Sequence, residues 1–239
     1  MSRNDSRKRD ELRKLSFHRG VSHPSQLSIQ VEWGKTIVLC GVSIDDTVPR
    51  FLKGSGKGWL TSEYAMLPLS SDQRIFRDRD RINGRVVEIQ RLIGRCLRSM
   101  VDLSVMGERT VLVDCDVLSA DGGTRTASIT GASLALQILL HRMIQDDLVP
   151  ANALRFGVAA VSLGFVKGEL LLDLNYSEDS TADADFNLVM NDKKELIEIQ
   201  GCAEGTPFSR NQLVELIEVG HKGIAEVIQK QKQYLQEIH

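Results

Sequence analysis

The chain has 239 residues, which suits one large domain or two small ones, and its 42% hydrophobic content can build a substantial core. Thirty basic residues stand against 32 acidic ones, so the net charge of -2 excludes a globally basic nucleic-acid binder and leaves only a locally basic surface. No apolar run reaches the ~20 residues of a membrane span, and the polar, basic start does not resemble a secretory signal. These features predict a soluble, cytoplasmic protein.

The first part of the chain is basic and is followed by a strand pattern. Residues 1–19 hold seven basic and three acidic side chains, which predicts an arm that is mobile or bound to a partner, with a merely solvated tail as the alternative. Alternation over 27–34 and an apolar run over 35–45 predict a hairpin. Residues 49–68 are glycine-rich and flanked by prolines, which predicts a loop outside the core.

The middle of the chain alternates between helix and strand patterns. Apolar side chains at helical spacing predict an amphipathic helix over 84–100, and a strand follows over 109–118. A glycine turn at 121–125 then leads into a largely apolar helix over 127–144, which we expect to be buried.

The last third contains two more hairpins and a helix. The hairpins span 156–176 and 186–201, and the helix begins at Ser209, whose pairing with Gln212 is a capping box. Antiparallel hairpins interleaved with three helices, without a linker or a repeat, predict an α+β fold. We expect helices to cover the sheets in one structural domain over 1–239.

The turn Asp121-Gly122-Gly123-Thr124-Arg125 is the first candidate for chemistry. Adjacent glycines allow positive φ and close approach, the helix start supplies free N–H groups, and the arginine fork suits phosphate oxygens. Neither common nucleotide motif is present. The segment therefore predicts a site for a small anion or a phosphodiester, and a purely structural turn is the alternative.

Two charged segments are the other candidates. Residues 70–85 carry five arginines and three acids, which suits an RNA backbone unless the loop is only internally ion-paired. Residues 175–187 gather the carboxylates of Glu178, Asp179, Asp183 and Asp185. Such carboxylates can share Mg²⁺ or a proton, or can form an acidic surface loop. A polyanion site, an anion site and a metal or acid site together are the parts of a phosphoryl transfer centre that uses free phosphate.

Five sequence blocks resemble the ribonuclease PH family. They are "VPRFLKGSGKGWLTSEYAMLP", "GRVVEIQRLIGRCLR", "LVDCDVLSADGGTRTASITGA", "DLNYSEDSTADADFNLVM" and "EIQGCAEGTPFS", and the resemblance is nearly collinear over about 27–228. It implies a ribonuclease PH-like fold and a phosphate-dependent 3′ to 5′ exoribonuclease that trims precursor tRNA. The resemblance also implies a ring-shaped homohexamer built as three dimers.

The resemblance assigns roles by position. It implies phosphate binding by Arg85, Gly123, Thr124 and Arg125. It also implies RNA guidance by Arg74 and Arg77. The catalytic acids that it implies, and with them the ligands of a divalent metal such as Mg²⁺, are Asp179 and Asp185.

Leu69 is a departure from the family pattern, because it replaces an arginine that follows Met-Leu-Pro in the family. We expect this change to weaken or alter the engagement of RNA. An inactive RNA-binding or scaffolding subunit of an exosome-like ring is therefore the alternative function. The presence of both Arg125 and Asp185 favours the active phosphorolytic enzyme, and hydrolysis without phosphate is the weakest alternative.

Overall fold

A five-stranded sheet forms the first half of the protein, for which a computed structural model describes residues 3–21, 23, 26–76 and 83–238. The strands lie in the order β1-β2-β3-β5-β4, and only the β4–β5 pair is parallel. Their bounds are β1 Leu15–Arg19, β2 Leu27–Trp33, β3 Thr36–Asp45, β4 Trp59–Met66 and β5 Thr110–Ser119. The predicted β2–β3 hairpin is confirmed, and it turns at Gly34 with φ 62.

A four-stranded antiparallel sheet forms the second half, in the order β7-β6-β8-β9. Its strands are β6 Val158–Val166, β7 Glu169–Leu172, β8 Ala184–Asn191 and β9 Leu196–Ala203. Both predicted hairpins are present. The described residues form four α-helices, which are α1 Gly84–Met100, α2 Thr124–Gln145, α3 Tyr176–Asp179 and α4 Arg210–Glu237. Single 3-10 turns lie at Arg50–Leu52 and Ala151–Ala153.

Helix α2 is the centre of the core, because it contacts β2 and β3 of the first sheet and β6 of the second. Its Gly131 lies so close to β3 that an added Cβ would meet Cys40 Sγ at 2.7 Å. Gln231 of α4 donates to the carbonyls of Thr130 and Val158, which ties α4 to α2 and β6. In length and composition α2 could cross a membrane, but 78% of its apolar window is buried, as in a core helix.

Two sequence predictions for the fold were wrong. The glycine-rich stretch 49–68 contains β4, whose Leu60 and Tyr64 are buried in the core. The basic arm was predicted to be mobile or bound to a partner, or else a solvated tail. Its described part instead packs on its own subunit, because Leu12 is buried and residues from Leu15 to Arg19 pair with β2. The arm joins the folded body through buried apolar residues such as Leu12 and through ion pairs of its arginines with Asp173 and Glu178.

Candidate active site

A cleft of about 1430 Å³ lies between the two halves of the protein. The structure brings to it every described residue that the sequence predicted for the site. They are Arg74, Arg85, Gly123, Thr124, Arg125, Asp179 and Asp185. Arg77 lies outside the described residues. The three candidate segments therefore meet in one place, although they are up to 111 positions apart in the chain, from Arg74 to Asp185.

The glycine turn connects β5 to α2 in a conformation that requires glycine. Gly122 and Gly123 have φ of 75 and 66, which is the left-handed region. A Cβ on Gly122 would lie 2.6 Å from the carbonyl oxygen of Leu174, just before α3. Gly123 is the N-cap of α2, and no described side chain caps this helix start. The first N–H groups of α2 are thus left for an anion.

The close approach at Gly122 leads to a testable prediction. We expect inorganic phosphate to raise the thermal midpoint of the wild-type protein. Gly122→Ala should lower the midpoint and abolish that rise, because the turn must shift to relieve the clash. Gly54→Ala is the matched control, since Gly54 has φ 82 but no described atom lies within 4 Å of an added Cβ. That variant bears only the backbone strain of about 1–2 kcal/mol for an alanine in the left-handed region. Equal phosphate responses in the two variants would refute the role of the close approach.

Arg125, in the first turn of α2, is held by two side chains that were not predicted from the sequence. Its guanidinium donates to Gln200 of β9 and to Glu88 of α1, each at 3.3 Å. Its Nε is buried and has no hydrogen-bond partner among the described residues. A buried, unpaired N–H beside an uncapped helix start is costly unless a ligand accepts from it. The position of Glu88 one helical turn after Arg85 was a usable signal.

Arg85 lies in the first turn of α1, where Asn83 caps the helix by accepting from the Arg85 N–H. Near it, the hydroxyl of Tyr64 lies 2.9 Å from that of Thr124. Burial raises the pKa of Tyr64, and the charges of Arg85 and Arg125 oppose this rise. Tyr64 is buried and contacts the anion site through the Thr124 hydroxyl. It was missed because its strand was predicted to be a loop.

The two acids occupy rigid positions on different elements. Asp179 ends α3, which the Asn175 and Glu178 capping box fixes, and Asp185 lies on β8 between Gly164 and Cys202 of the neighbouring strands. Burial raises the pKa of Asp179, and the charge of Asp185 raises it further. The positive charges of Arg85, Arg125 and Arg13 act in the opposite direction. Both carboxylates and the anion-site arginines thus share one electrostatic environment.

The sequence matches the two family models of the 3′ exoribonuclease family. Domain 1 matches residues 11–140 and domain 2 matches residues 158–223. Among curated proteins, the ribonuclease PH of Crocosphaera subtropica is 48% identical over 98% of this chain and 97% of its own length. The ribonuclease PH of Bacillus subtilis is 48% identical over 98% of this chain and 96% of its own length.

Solved structures with lower identity show the same fold. Rrp46 of rice, Oryza sativa, is 20% identical with a TM-score of 0.79, covering 98% of this chain and all of its own. A subunit of the Archaeoglobus fulgidus exosome with RNA bound to the active site is 23% identical with a TM-score of 0.79, covering 96% and 92%. The predicted α+β, ribonuclease PH-like fold is confirmed. The chain belongs to the ribonuclease PH family of 3′ exoribonucleases.

Proposed function

We propose that this protein trims the 3′ ends of precursor tRNA and that the cleft performs the reaction. As a member of the ribonuclease PH family, the protein is a phosphate-dependent 3′ to 5′ exoribonuclease, and inorganic phosphate is its co-substrate. One observation supports the location of the reaction above all others. The buried, unpaired Nε of Arg125 lies beside the glycine turn, in a cleft that also contains both acids.

The attacking phosphate is held by positive charge and backbone donors. Arg85, Arg125 and the uncapped start of α2 at Gly123 and Thr124 bind its oxygens. An oxygen of this phosphate attacks the last phosphodiester of the RNA, and the bond to the 3′ oxygen of the preceding nucleotide breaks. A nucleoside diphosphate leaves, and the shortened RNA gains a proton on its 3′ oxygen. Since one phosphate linkage replaces another, the reaction also runs in reverse as nucleotide addition.

The two acids fit either of two tasks at the leaving oxygen. We assign Asp185 either to the binding of a metal ion or to the donation of the proton to the 3′ oxygen. Asp179 and Asp185 would hold Mg²⁺ together with substrate phosphate. The described part of the chain contains no group of three or more His, Cys, Asp or Glu residues that could hold a metal ion. Mg²⁺ commonly binds through one or two carboxylates and substrate phosphates, so this donor pair fits. When bound, the ion neutralises negative charge at the phosphates.

The RNA approaches along the segment before α1. Arg74 lines the cleft, and Leu69, which replaces a family arginine, lines it with 80% of its surface exposed. We propose that Arg74 and Arg77 guide the RNA backbone toward the two acids. Weaker RNA engagement because of Leu69 stays a prediction, which the affinity of Leu69→Arg for a 3′-extended tRNA would measure.

We further propose a homohexamer built as three dimers, acting in the cytoplasm. Support comes from the fold that the chain shares with exosome subunits, including one described as an archaeal exosome core at a TM-score of 0.76. The mass of the purified protein by light scattering tests this proposal. A monomer or an isolated dimer would contradict the ring.

The reaction is tested by incubating the purified protein with a 3′-extended tRNA precursor and Mg²⁺, with and without inorganic phosphate. We expect nucleoside diphosphates only when phosphate is present. Nucleoside monophosphates without phosphate would mean hydrolysis. Binding without release of nucleotides would support the scaffolding subunit of an exosome-like ring.

Arg125→Ala is expected to raise the KM for phosphate by about 10- to 100-fold, because a charge-assisted hydrogen bond contributes about 1.5–3 kcal/mol. The affinity for RNA in the absence of phosphate should be retained. Steady-state rates at varied phosphate and a filter-binding assay measure both quantities. Arg91→Ala, on the exposed side of α1, is the control and should leave the KM unchanged. An unchanged KM in Arg125→Ala would remove this residue from the phosphate site.

A further inference from the structure

The N-terminal arm is anchored by a buried aspartate directly after β7. The carboxylate of Asp173 accepts from the backbone N–H of Arg13 at 2.7 Å and from its Nε and Nη2 at 3.0 and 2.7 Å. The two side chains are 2% and 6% exposed. This bidentate ion pair fixes the orientation of the Arg13 guanidinium.

Two more donors complete the surroundings of Asp173. The indole N–H of Trp33 donates to it at 2.9 Å, and Nη1 of Arg7 donates at 3.3 Å. Asp173 itself has φ 55, a left-handed conformation that costs free energy for most residues. A strained backbone and a saturated carboxylate at one position indicate that the surrounding structure fixes Asp173 firmly.

The guanidinium of Arg13 reaches from Asp173 to the glycine turn. Its Nη1 donates to the carbonyl of Asp121, and its Nη2 donates to the carbonyl of Gly122 at 3.4 Å. Thr36 of β3 supports the same peptides, because its hydroxyl donates to the Gly122 carbonyl at 2.7 Å and accepts from the Asp121 N–H at 2.9 Å. The backbone of Asp121 and Gly122, which precedes the start of α2, is therefore held by two side chains.

We infer that Arg13, oriented by Asp173, and Thr36 are positioning residues of the phosphate site, an inference that rests on the proposed function. They act through the backbone of the turn, whose orientation sets where the N–H groups at the start of α2 point. Small displacements of these N–H groups should weaken the binding of phosphate, because the strength of each hydrogen bond depends on a geometry that is fixed before the phosphate arrives. The basic arm thereby helps to orient the phosphate site of its own subunit.

Arg13→Lys tests the inference with little change in charge. Lysine can pair with Asp173, but it lacks the planar guanidinium group whose several N–H donors contact the carboxylate and both turn carbonyls at once. We expect the KM for phosphate to rise about tenfold, while turnover at saturating phosphate stays within about twofold, as for a loss of uniform binding. The rise in thermal midpoint caused by inorganic phosphate should shrink in parallel.

Arg3→Lys is the matched control. Arg3 lies on the same arm and is as buried, but its described contacts are with Glu178 and the carbonyls of Lys8, Leu172 and Asp173. This variant should be less stable yet keep the KM for phosphate. If Arg13→Lys does not fold, Thr36→Val removes the second support at nearly constant volume and should also raise the KM.

The outcomes separate this inference from the proposed function. An unchanged KM in Arg13→Lys, or in Thr36→Val when Arg13→Lys does not fold, would overturn the positioning role while wild-type phosphorolysis stands. An equal rise in Arg3→Lys would overturn it too, since general loosening would then explain the effect. Absence of phosphorolysis in the wild type would overturn the proposed function alone, because the phosphate-induced midpoint shift still reports on positioning.

Discussion

Asp185→Asn is expected to lower both the phosphorolysis of RNA and the reverse addition of nucleotides by about 10²–10⁴-fold. The amide cannot donate a proton to the 3′ oxygen as a carboxylic acid does, and it lacks the negative charge that a metal ligand provides. Because phosphorolysis and nucleotide addition pass through one transition state, the rates of both must fall by the same factor. Release of nucleoside diphosphates and extension by nucleoside diphosphates, measured on the same RNA, give the two rates.

The fold should survive this change, which makes the loss interpretable. Asp185 lies within the ladder of β8, whose backbone pairing with β6 and β9 does not depend on the carboxylate. Asp183→Asn is the matched control, because it removes the same charge two positions earlier and Asp183 is not among the described residues that line the cleft. It should keep nearly full activity. Loss of only one direction in Asp185→Asn would contradict the assigned role.

Local patterns predicted those elements whose stability is visible in their own sequence. The stripe of apolar residues gave the bounds of α1 correctly, and Ser209 with Gln212 marked the start of α4. The β2–β3 hairpin followed from alternation and a glycine with positive φ. Each of these signals depends on neighbours within a few positions.

Tertiary partners determined the features that the sequence did not reveal. Strand β4 was predicted to be a loop because a glycine-rich segment directly precedes it. Its stability comes from parallel pairing with β5, which is distant in the chain. Residues far apart in the chain make the rest of the site, such as Gln200 with Arg125 and Tyr64 with Thr124. The basic arm was predicted to be mobile or bound to a partner because the acids that neutralise its arginines, Asp173 and Glu178, come about 160 or more positions later.

Asp173→Asn is expected to lower the free energy of unfolding by about 3–5 kcal/mol, the cost of leaving buried charges without their partner. Asparagine keeps the size of the side chain and tolerates φ 55, so the change isolates the lost charge. Arg13 is then left as a buried cation, and its three hydrogen bonds to the side chain at position 173 are lost or weakened. Urea unfolding followed by circular dichroism measures the difference.

Asp102→Asn provides the comparison for this last experiment. Asp102 also pairs with an arginine, Arg155, but both side chains are partly exposed, and solvent screening leaves such a pair with little effect on stability. If the Asp173–Arg13 pair is a buried anchor, Asp173→Asn should lower the free energy of unfolding much more than Asp102→Asn does. If the pair is only a surface contact, the two variants should lose similar amounts of stability. The double variant Arg13→Gln with Asp173→Asn should be less destabilised than the sum of the single changes, because the second substitution removes the charge that the first left unpaired. Additive losses would mean that the arm is held by its other contacts and not by this ion pair.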